Sequence, residues 1–460
     1  MADRPNILFV CPDQHHPDWV GFDSDVPVRT PALDGLATHG VAFRNAVTPA
    51  PLCGPARACL ASGMRYDHCG VRDHRADHPF GTRNLYRRLR DEADYHVLGS
   101  GKFDLQKRSN QVTPALGDDG TTHLTANGFS DGVECLGKWD AVSSWDGSPH
   151  DPYVASMQDR GLVETHVTDF ERRRDVDQAT FPTSLPADAY CDNWIGERAV
   201  ELLRGALEDR PWFLQVNFAG PHAPWDVTED MHGWYRDPDV TFPGPTQPVG
   251  DIDDEHHQEI RRNYASMVEN VDRWTELLLD AVDERDDLGE TVVVFAADHG
   301  ELLGHHGGWG KRSPYRASVG VPFVVAGPGV KSRGVVDAPA TILDLHATVL
   351  EAAGLDPGPV DSRSMWPYLG GEGDLRDVVC AGMDHWRLAF DGRHKLIRGF
   401  DPDATDDDPW NETAVRRSLR DRDPLLFDLE TDSGETENLF RERSDARDRL
   451  EGALSDAKPS

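Results

Sequence analysis

The sequence predicts an α/β protein: a large, mostly parallel sheet flanked by helices, followed by a smaller C-terminal α+β domain containing an antiparallel sheet. Three observations carry this prediction. Apolar runs too continuous for half-buried strands recur at 6–11, 95–99, 212–218, 291–297 and 321–326. Segments with helical spacing alternate with them, the pattern of a sheet covered on both sides. Beyond about Met365 the apolar runs shorten, and Asp391-Gly392 joins two of them as a hairpin turn does. The expected division is 1–365 and 366–460.

In chain order, the first strand, 6–11, runs out into Asp13 and Gln14. Residues 30–40 read as a helix, with Thr30 as cap, Pro31 first and Gly40 closing. The stretch Pro51-Leu52-Cys53-Gly54-Pro55-Ala56-Arg57 sets a thiol just before a short helix, with Pro55 at its first position. The helix field and Arg57 favour an anion at position 53, against the simpler reading of a buried structural cysteine. A helix at 84–92 and a strand at 95–99 lead to Lys102. The polar stretch 106–186 reads as loops over one face. A helix at 189–208 and a strand at 212–218 lead to His222, and a Pro/Gly-rich excursion spans 229–251. An amphipathic helix at 256–282 precedes the strand 291–297, which ends at Asp298 and His299. Lys311 lies in the loop before the strand 321–326, and short strands are expected at 377–381, 387–390 and 394–397. The acidic insert 401–408 reads as a solvated loop.

Composition excludes several classes. With 81 acidic against 47 basic residues the net charge is −34, which excludes nucleic acid as a partner. Only seven lysines are present, and an acidic, lysine-poor surface is expected of a halophilic-type protein, since at 1 M salt the Debye length is about 3 Å. No apolar run reaches membrane-spanning length, and the chain enters its first strand at once, so the expectation is a cytoplasmic protein with no signal peptide and no membrane partner. Seven cysteines without a CxxC pair suggest neither a zinc site nor a disulfide framework.

Asp13, Gln14, Lys102, His222, Asp298 and His299 all stand at strand exits, where parallel sheets bind ligands, and together they suggest one site. Asp13, Gln14 and Asp298 offer hard oxygens and His299 a nitrogen, a set that accepts Ca²⁺, Mg²⁺ or Mn²⁺. The competing reading is that the two aspartates cap helices. Lysine scarcity makes Lys102 and Lys311 more informative than surface lysines usually are. Trp139, Trp145 and Trp225 either stack on a sugar or pack.

Several motifs occur in order. Pro5-Asn6-Ile7-Leu8 leads to Asp13, and Cys53-Gly54-Pro55-Ala56-Arg57 has the form C-x-P-x-R. Gly101-Lys102, Pro221-His222-Ala223-Pro224, Asp298-His299-Gly300-Glu301, Lys311 before Pro314-Tyr315, and Leu426-Phe427-Asp428-Leu429 with Glu437-Asn438-Leu439 complete the series. In these the chain resembles the formylglycine-dependent (type I) sulfatases of the alkaline phosphatase superfamily. The resemblance implies an alkaline phosphatase-like fold and an arylsulfatase-like sulfuric ester hydrolase acting on a small-molecule or carbohydrate sulfate ester. It implies a maturation enzyme that converts Cys53 to formylglycine, and one divalent metal, by family expectation Ca²⁺, on Asp13, Gln14, Asp298, His299 and the modified Cys53.

In the mechanism so implied, a hydroxyl of the aldehyde hydrate attacks sulfur, with Arg57 and the metal lowering its pKa. Lys102 and Lys311 offset charge on the sulfuryl oxygens, and His222 or Lys311 protonates the leaving alcohol. The second hydroxyl then expels sulfate, a step closed to plain serine or cysteine. Two departures stand out. Gln14 replaces a frequent second aspartate, as in phosphonate and phosphodiester hydrolases of the same branch, which keeps a phosphorus substrate as the alternative. Asp104 replaces the histidine of G-K-x-H, which makes it a candidate substrate contact and hints at a uronate sugar. A reading from another class is an unmodified, non-catalytic protein that binds an anion and a metal.

Overall fold

Alternation along the first strand decides how the sheet is covered. Ile7, Phe9 and Cys11 enter one apolar core while Leu8 and Val10 enter another, so both faces of β1 (Asn6–Asp13) are packed. The same split holds in β8 (Thr291–Ala296), where Val292 and Val294 face the first core and Val293 and Phe295 the second. Burial on both faces is why these strands read as unbroken apolar runs. The computed structural model describes residues 4–456 apart from 111–114, 117–120, 144, 148, 150, 249–251, 385 and 400–423. The acidic insert 401–408 thus lies outside the described residues.

The remaining strands are β2 (Val41–Val47), β3 (His96–Gly101), β4 (Ala115–Leu116), β5 (Thr121–Thr122), β6 (Asp131–Glu134), β7 (Trp212–Pro221), β8 (Thr291–Ala296), β9 (Phe323–Ala326) and β10 (Gly334–Thr341). Apart from the small β4-β5 ladder they form one eight-stranded sheet in the order β10-β2-β9-β8-β1-β7-β3-β6. All neighbours are parallel except β9, which runs antiparallel to both β2 and β8. A second sheet, antiparallel and ordered β11 (Val379–Met383), β12 (Trp386–Phe390), β13 (His394–Arg398), β14 (Leu425–Asp428), follows near the C-terminus.

Two parts differ from the expectation. The stretch 106–186 is not only loops: β6 closes one edge of the main sheet, and helices Pro152–Asp159 and Val163–Arg174 add residues to the core on one face of that sheet. Each contributes only a few apolar residues to the core, such as Tyr153, Val154 and Met157, too few per turn to show a period in a polar sequence. The helix carrying the C-x-P-x-R motif spans Cys53–Ser62, so Cys53 is its first residue and Pro55 its third. Every residue from Cys53 to Ala61 is buried, which leaves no amphipathic period to mark its start. The helix ends at Gly63 with φ +72, where an added Cβ would lie 2.7 Å from the His346 ring.

The two sheets share packing. Val47, Leu52, Ala58 and Cys59 lie in one apolar cluster with Val379, Trp386, Leu388 and Phe427. Lys395 of β13, fully buried, donates to Pro314 O at 2.7 Å and pairs with Glu435, which accepts from the Arg316 backbone N–H. This ties the C-terminal sheet to the loop that carries Lys311. Lys395→Met leaves the buried Glu435 without its cation and is expected to cost about 3–5 kcal/mol in denaturant unfolding; an unchanged midpoint would show that the tie carries no stability. Among the described residues no helix is long and apolar enough to cross a membrane.

Candidate active site

Because β1, β3, β7 and β8 are mutually parallel, their carboxyl ends emerge on one side of the sheet. Asp13 is the last residue of β1, Lys102 follows β3, His222 follows β7, and Asp298 and His299 follow β8. Cys53 arrives opposite them on the first turn of its helix, where unpaired N–H groups favour negative charge.

Ligand atoms of Asp13, Cys53, Asp298 and His299 all lie within 4.8 Å of one another, and all four residues are buried. The Cys53 sulfur sits 3.2 Å from His299 Nε2, 3.5 Å from Asp13 Oδ1 and 3.9 Å from Lys102 Nζ. Each carboxylate divides its oxygens. Asp13 turns Oδ1 to the cluster while Oδ2 accepts from Lys102 Nζ at 2.5 Å. Asp298 Oδ2 accepts from Arg57 Nε at 2.9 Å and pairs with its terminal nitrogen at 2.8 Å, while Oδ1 accepts the backbone N–H groups of Gln14 and His299. His299 Nδ1 faces Gly300 O at 3.0 Å, so Nδ1 carries the proton and Nε2 presents its lone pair to the cluster.

The electrostatics follow from this packing. Burial alone would push the Asp13 carboxyl up, yet Lys102, His222, Lys311 and Arg57 together hold it well below the usual range. Burial would likewise lower the Lys102 ammonium, but Asp104 and Asp13 hold it well above an ordinary lysine. Burial also works against a charged His299, and Asp298 and the Cys53 sulfur still raise it. The oxygens and single imidazole of the cluster fit a divalent metal.

The remaining expected residues occupy distinct places. Gln14, held at φ +67, does not turn its amide to the cluster: Nε2 donates to Glu301, and Oε1 accepts from Lys311 Nζ at 2.5 Å. Lys311 Nζ also lies 2.6 Å from His222 Nε2, while His222 Nδ1 faces Ala223 O at 2.6 Å. Asp104, at φ +52, lies 3.5 Å from Lys102 and 3.0 Å from Lys107, which pairs in turn with Asp140. Burial works against this carboxylate, yet the two lysines lower it far below the usual range.

Sequence reasoning assigned no role to Glu301, Lys107, Lys138 or His74. Glu301 accepts from Gln14, Leu303 N and Gly310 N, thereby holding the turn before Lys311, and burial pushes its carboxyl up to about 7. Lys138 is buried against Asp226 at 2.7 Å and the Tyr190 hydroxyl at 2.9 Å. Scarcity of lysine was the one signal that could have flagged Lys107 and Lys138. The cleft above the cluster, about 990 Å³, is lined by Cys53, Lys102, Lys107, His222, Lys311 and Trp139, among others. Trp225 lines it too, from a buried position against Tyr264 and Trp309, whereas Trp145 packs on the core beside the sheet.

Comparisons with known proteins agree with this arrangement. The sulfatase family model matches residues 5–355. An arylsulfatase of Clostridium perfringens is 24% identical over 474 residues, covering 96% of this chain and 92% of that protein. In fold, the chain superposes on the phosphonate monoester hydrolase of Agrobacterium radiobacter with a TM-score of 0.75 at 20% identity, covering 99% of this chain and 95% of the other. It superposes with a TM-score of 0.73 at 17% identity on a protein solved in complex with its substrate D-glucosamine-2-N,6-O-disulfate, covering 99% and 97%. With 351 consecutive residues under one family model and the cluster assembled at the strand ends, the chain belongs to the sulfatase family, a family of sulfuric ester hydrolases.

Proposed function

We propose that this sulfatase hydrolyses a carbohydrate or other small-molecule sulfate ester through a formylglycine made from Cys53, with one divalent metal held by Asp13, Asp298 and His299. The observation that carries the reading is the position of the Cys53 sulfur, on a helix N-terminus and within 4 Å of Asp13, His299 and Lys102. That sulfur stands for the oxygens the modified residue would carry. A bound metal would supply Lewis acidity at that point and lower the pKa of an oxygen attached there.

The chain's own residues do the rest. Arg57 clamps Asp298 and neutralises the cluster from behind. Lys102, fixed between Asp13 and Asp104, presents its ammonium to the group bound at position 53 and offsets charge growing on the sulfuryl oxygens. Lys311 and His222 act as a pair: with Nδ1–H committed to Ala223 O, His222 Nε2 accepts from the Lys311 ammonium, and the proton they share serves the leaving alcohol. Gln14 and Glu301 position Lys311 rather than the metal.

Substrate class follows from the cleft. Its lysines and arginines, in a protein of net charge −34, favour an anion, and its volume suits a mono- or disaccharide stacked on Trp139. The hint of a uronate sugar rests on the presence of Asp104, whose carboxylate is buried and paired with Lys102 and Lys107. Cys53 is 1% exposed, so the maturation enzyme is expected to act before the chain folds. All seven cysteines are free, which suits a reducing cytoplasm, and the acidic surface suits activity in molar salt. Family expectation favours Ca²⁺, while the imidazole donor suits Mn²⁺ at least as well.

Mass spectrometry of the peptide bearing Cys53 tests the modification: an alkylatable thiol throughout native, active protein would sink it. A panel of aryl sulfate, sugar sulfate and phosphonate or phosphodiester substrates tests the chemistry. The second reading, a phosphorus ester hydrolase, is favoured by Gln14 alone, and preference for those esters would establish it. A chelator is expected to abolish turnover and to lower the melting temperature, because the buried carboxylates of Asp13 and Asp298 lose the cation that would bind with them; unchanged turnover after dialysis, with no metal by elemental analysis, would rule the metal out.

A further inference from the structure

One histidine beside Cys53 is used by neither the motifs nor the cluster. The His74 ring lies against Gly54: a Cβ built on Gly54 would meet its Cδ2 at 3.3 Å and its Nε2 at 4.0 Å. The same ring lines the cleft together with Cys53, Lys102, Lys107 and Lys311. Its Nε2 is shut off from solvent and has no hydrogen-bond partner among the described residues. An unpaired buried ring nitrogen beside the cleft calls for a ligand. Three residues past β3, the position where the resemblance expects an imidazole holds Asp104 instead, and that carboxylate is committed to Lys102 and Lys107. Burial, followed by the charge of Lys107, pushes the His74 imidazole down to about 3, so the ring is neutral and has one N–H to place.

We propose that His74 Nε2–H donates a hydrogen bond to a non-bridging oxygen of the bound sulfate group, supplying from the segment after the Cys53 helix the imidazole contact that Asp104 does not. This inference rests on the sulfatase reading of the site. Lys102 and Lys311 already offset the substrate's charge, so a further cation would add little. A neutral donor adds direction instead, fixing which sulfuryl oxygen turns away from the cluster. Gly54 then has a steric role beside its place in the motif, because a side chain there would press on the ring.

Two variants separate a substrate contact from a structural one. His74→Phe keeps the ring's shape without a donor, and His74→Gln offers an amide N–H at similar reach. Both are measured as the modified enzyme, normalised to the fraction of Cys53 converted, with melting temperatures and inhibition by inorganic sulfate recorded alongside. His74→Phe is expected to lower kcat/KM about 100-fold and to weaken sulfate inhibition, while His74→Gln restores at least a tenth of wild-type kcat/KM. A His74→Phe enzyme within twofold of wild type in both measurements overturns the proposal alone. So do equal losses in both variants accompanied by lowered melting temperatures, which would mark a packing role. If wild-type protein with converted Cys53 hydrolyses no sulfate ester, the sulfatase reading falls and takes this inference with it.

Discussion

Cys53→Ala is expected to reduce sulfate ester turnover by at least about 10⁴-fold while leaving the fold intact. The sulfur is the only atom lost, alanine suits the first turn of a helix, and the surrounding ion pairs run between Asp13, Lys102, Asp298 and Arg57 without it. The stability cost is therefore about 1 kcal/mol, the scale of one small buried group. Cys53→Ser is the sharper variant. If it escapes conversion, its lone hydroxyl lacks the second oxygen needed to expel sulfate, so steady turnover should be lost there too. Steady-state assays with both variants, beside thermal melting, check this. Turnover above about 1% of wild type in Cys53→Ala would remove position 53 from the chemistry and favour a site that only binds.

Much of this architecture was legible because of how parallel sheets are built. Strands buried on both faces become continuous apolar runs, so β1, β7 and β8 stood out, and polar residues just past their ends pointed to a common edge. That reasoning reached Asp13, Lys102, His222, Asp298 and His299 without any contact being known. It failed where burial removes periodicity or where partners are far apart in the chain. The helix Cys53–Ser62 is buried all round, so the sequence points to Pro55 as its start although Cys53 begins it. Gln14 sits beside the cluster in sequence, but its amide bridges Glu301 and Lys311, 287 and 297 residues away. No local pattern encodes such a choice. His74 had no motif at all, and only its place against Gly54 gives it meaning.

The second large effect concerns Arg57, and it distinguishes charge from shape. Arg57→Lys preserves the positive charge, yet it is expected to lower kcat about 10²- to 10³-fold with little change in KM. The guanidinium reaches Asp298 through two nitrogens, at 2.9 and 2.8 Å, lies 3.5 Å from Asp13, and donates to the Lys102 carbonyl. A single ammonium on a shorter reach cannot span these partners, so Asp298 and Lys102 lose their common anchor. Arg57 lies behind the cluster, and its loss should therefore misplace the reacting groups more than it weakens substrate binding. Arg57→Met removes the charge as well, leaves two buried carboxylates short of one counter-ion, and is expected to cost about 3–5 kcal/mol in denaturant unfolding of metal-free protein. Added metal should recover part of that loss, because it supplies positive charge to the same oxygens. An Arg57→Lys enzyme with unchanged kcat would show that only charge matters at this position, and the clamp on Asp298 would then have no catalytic consequence.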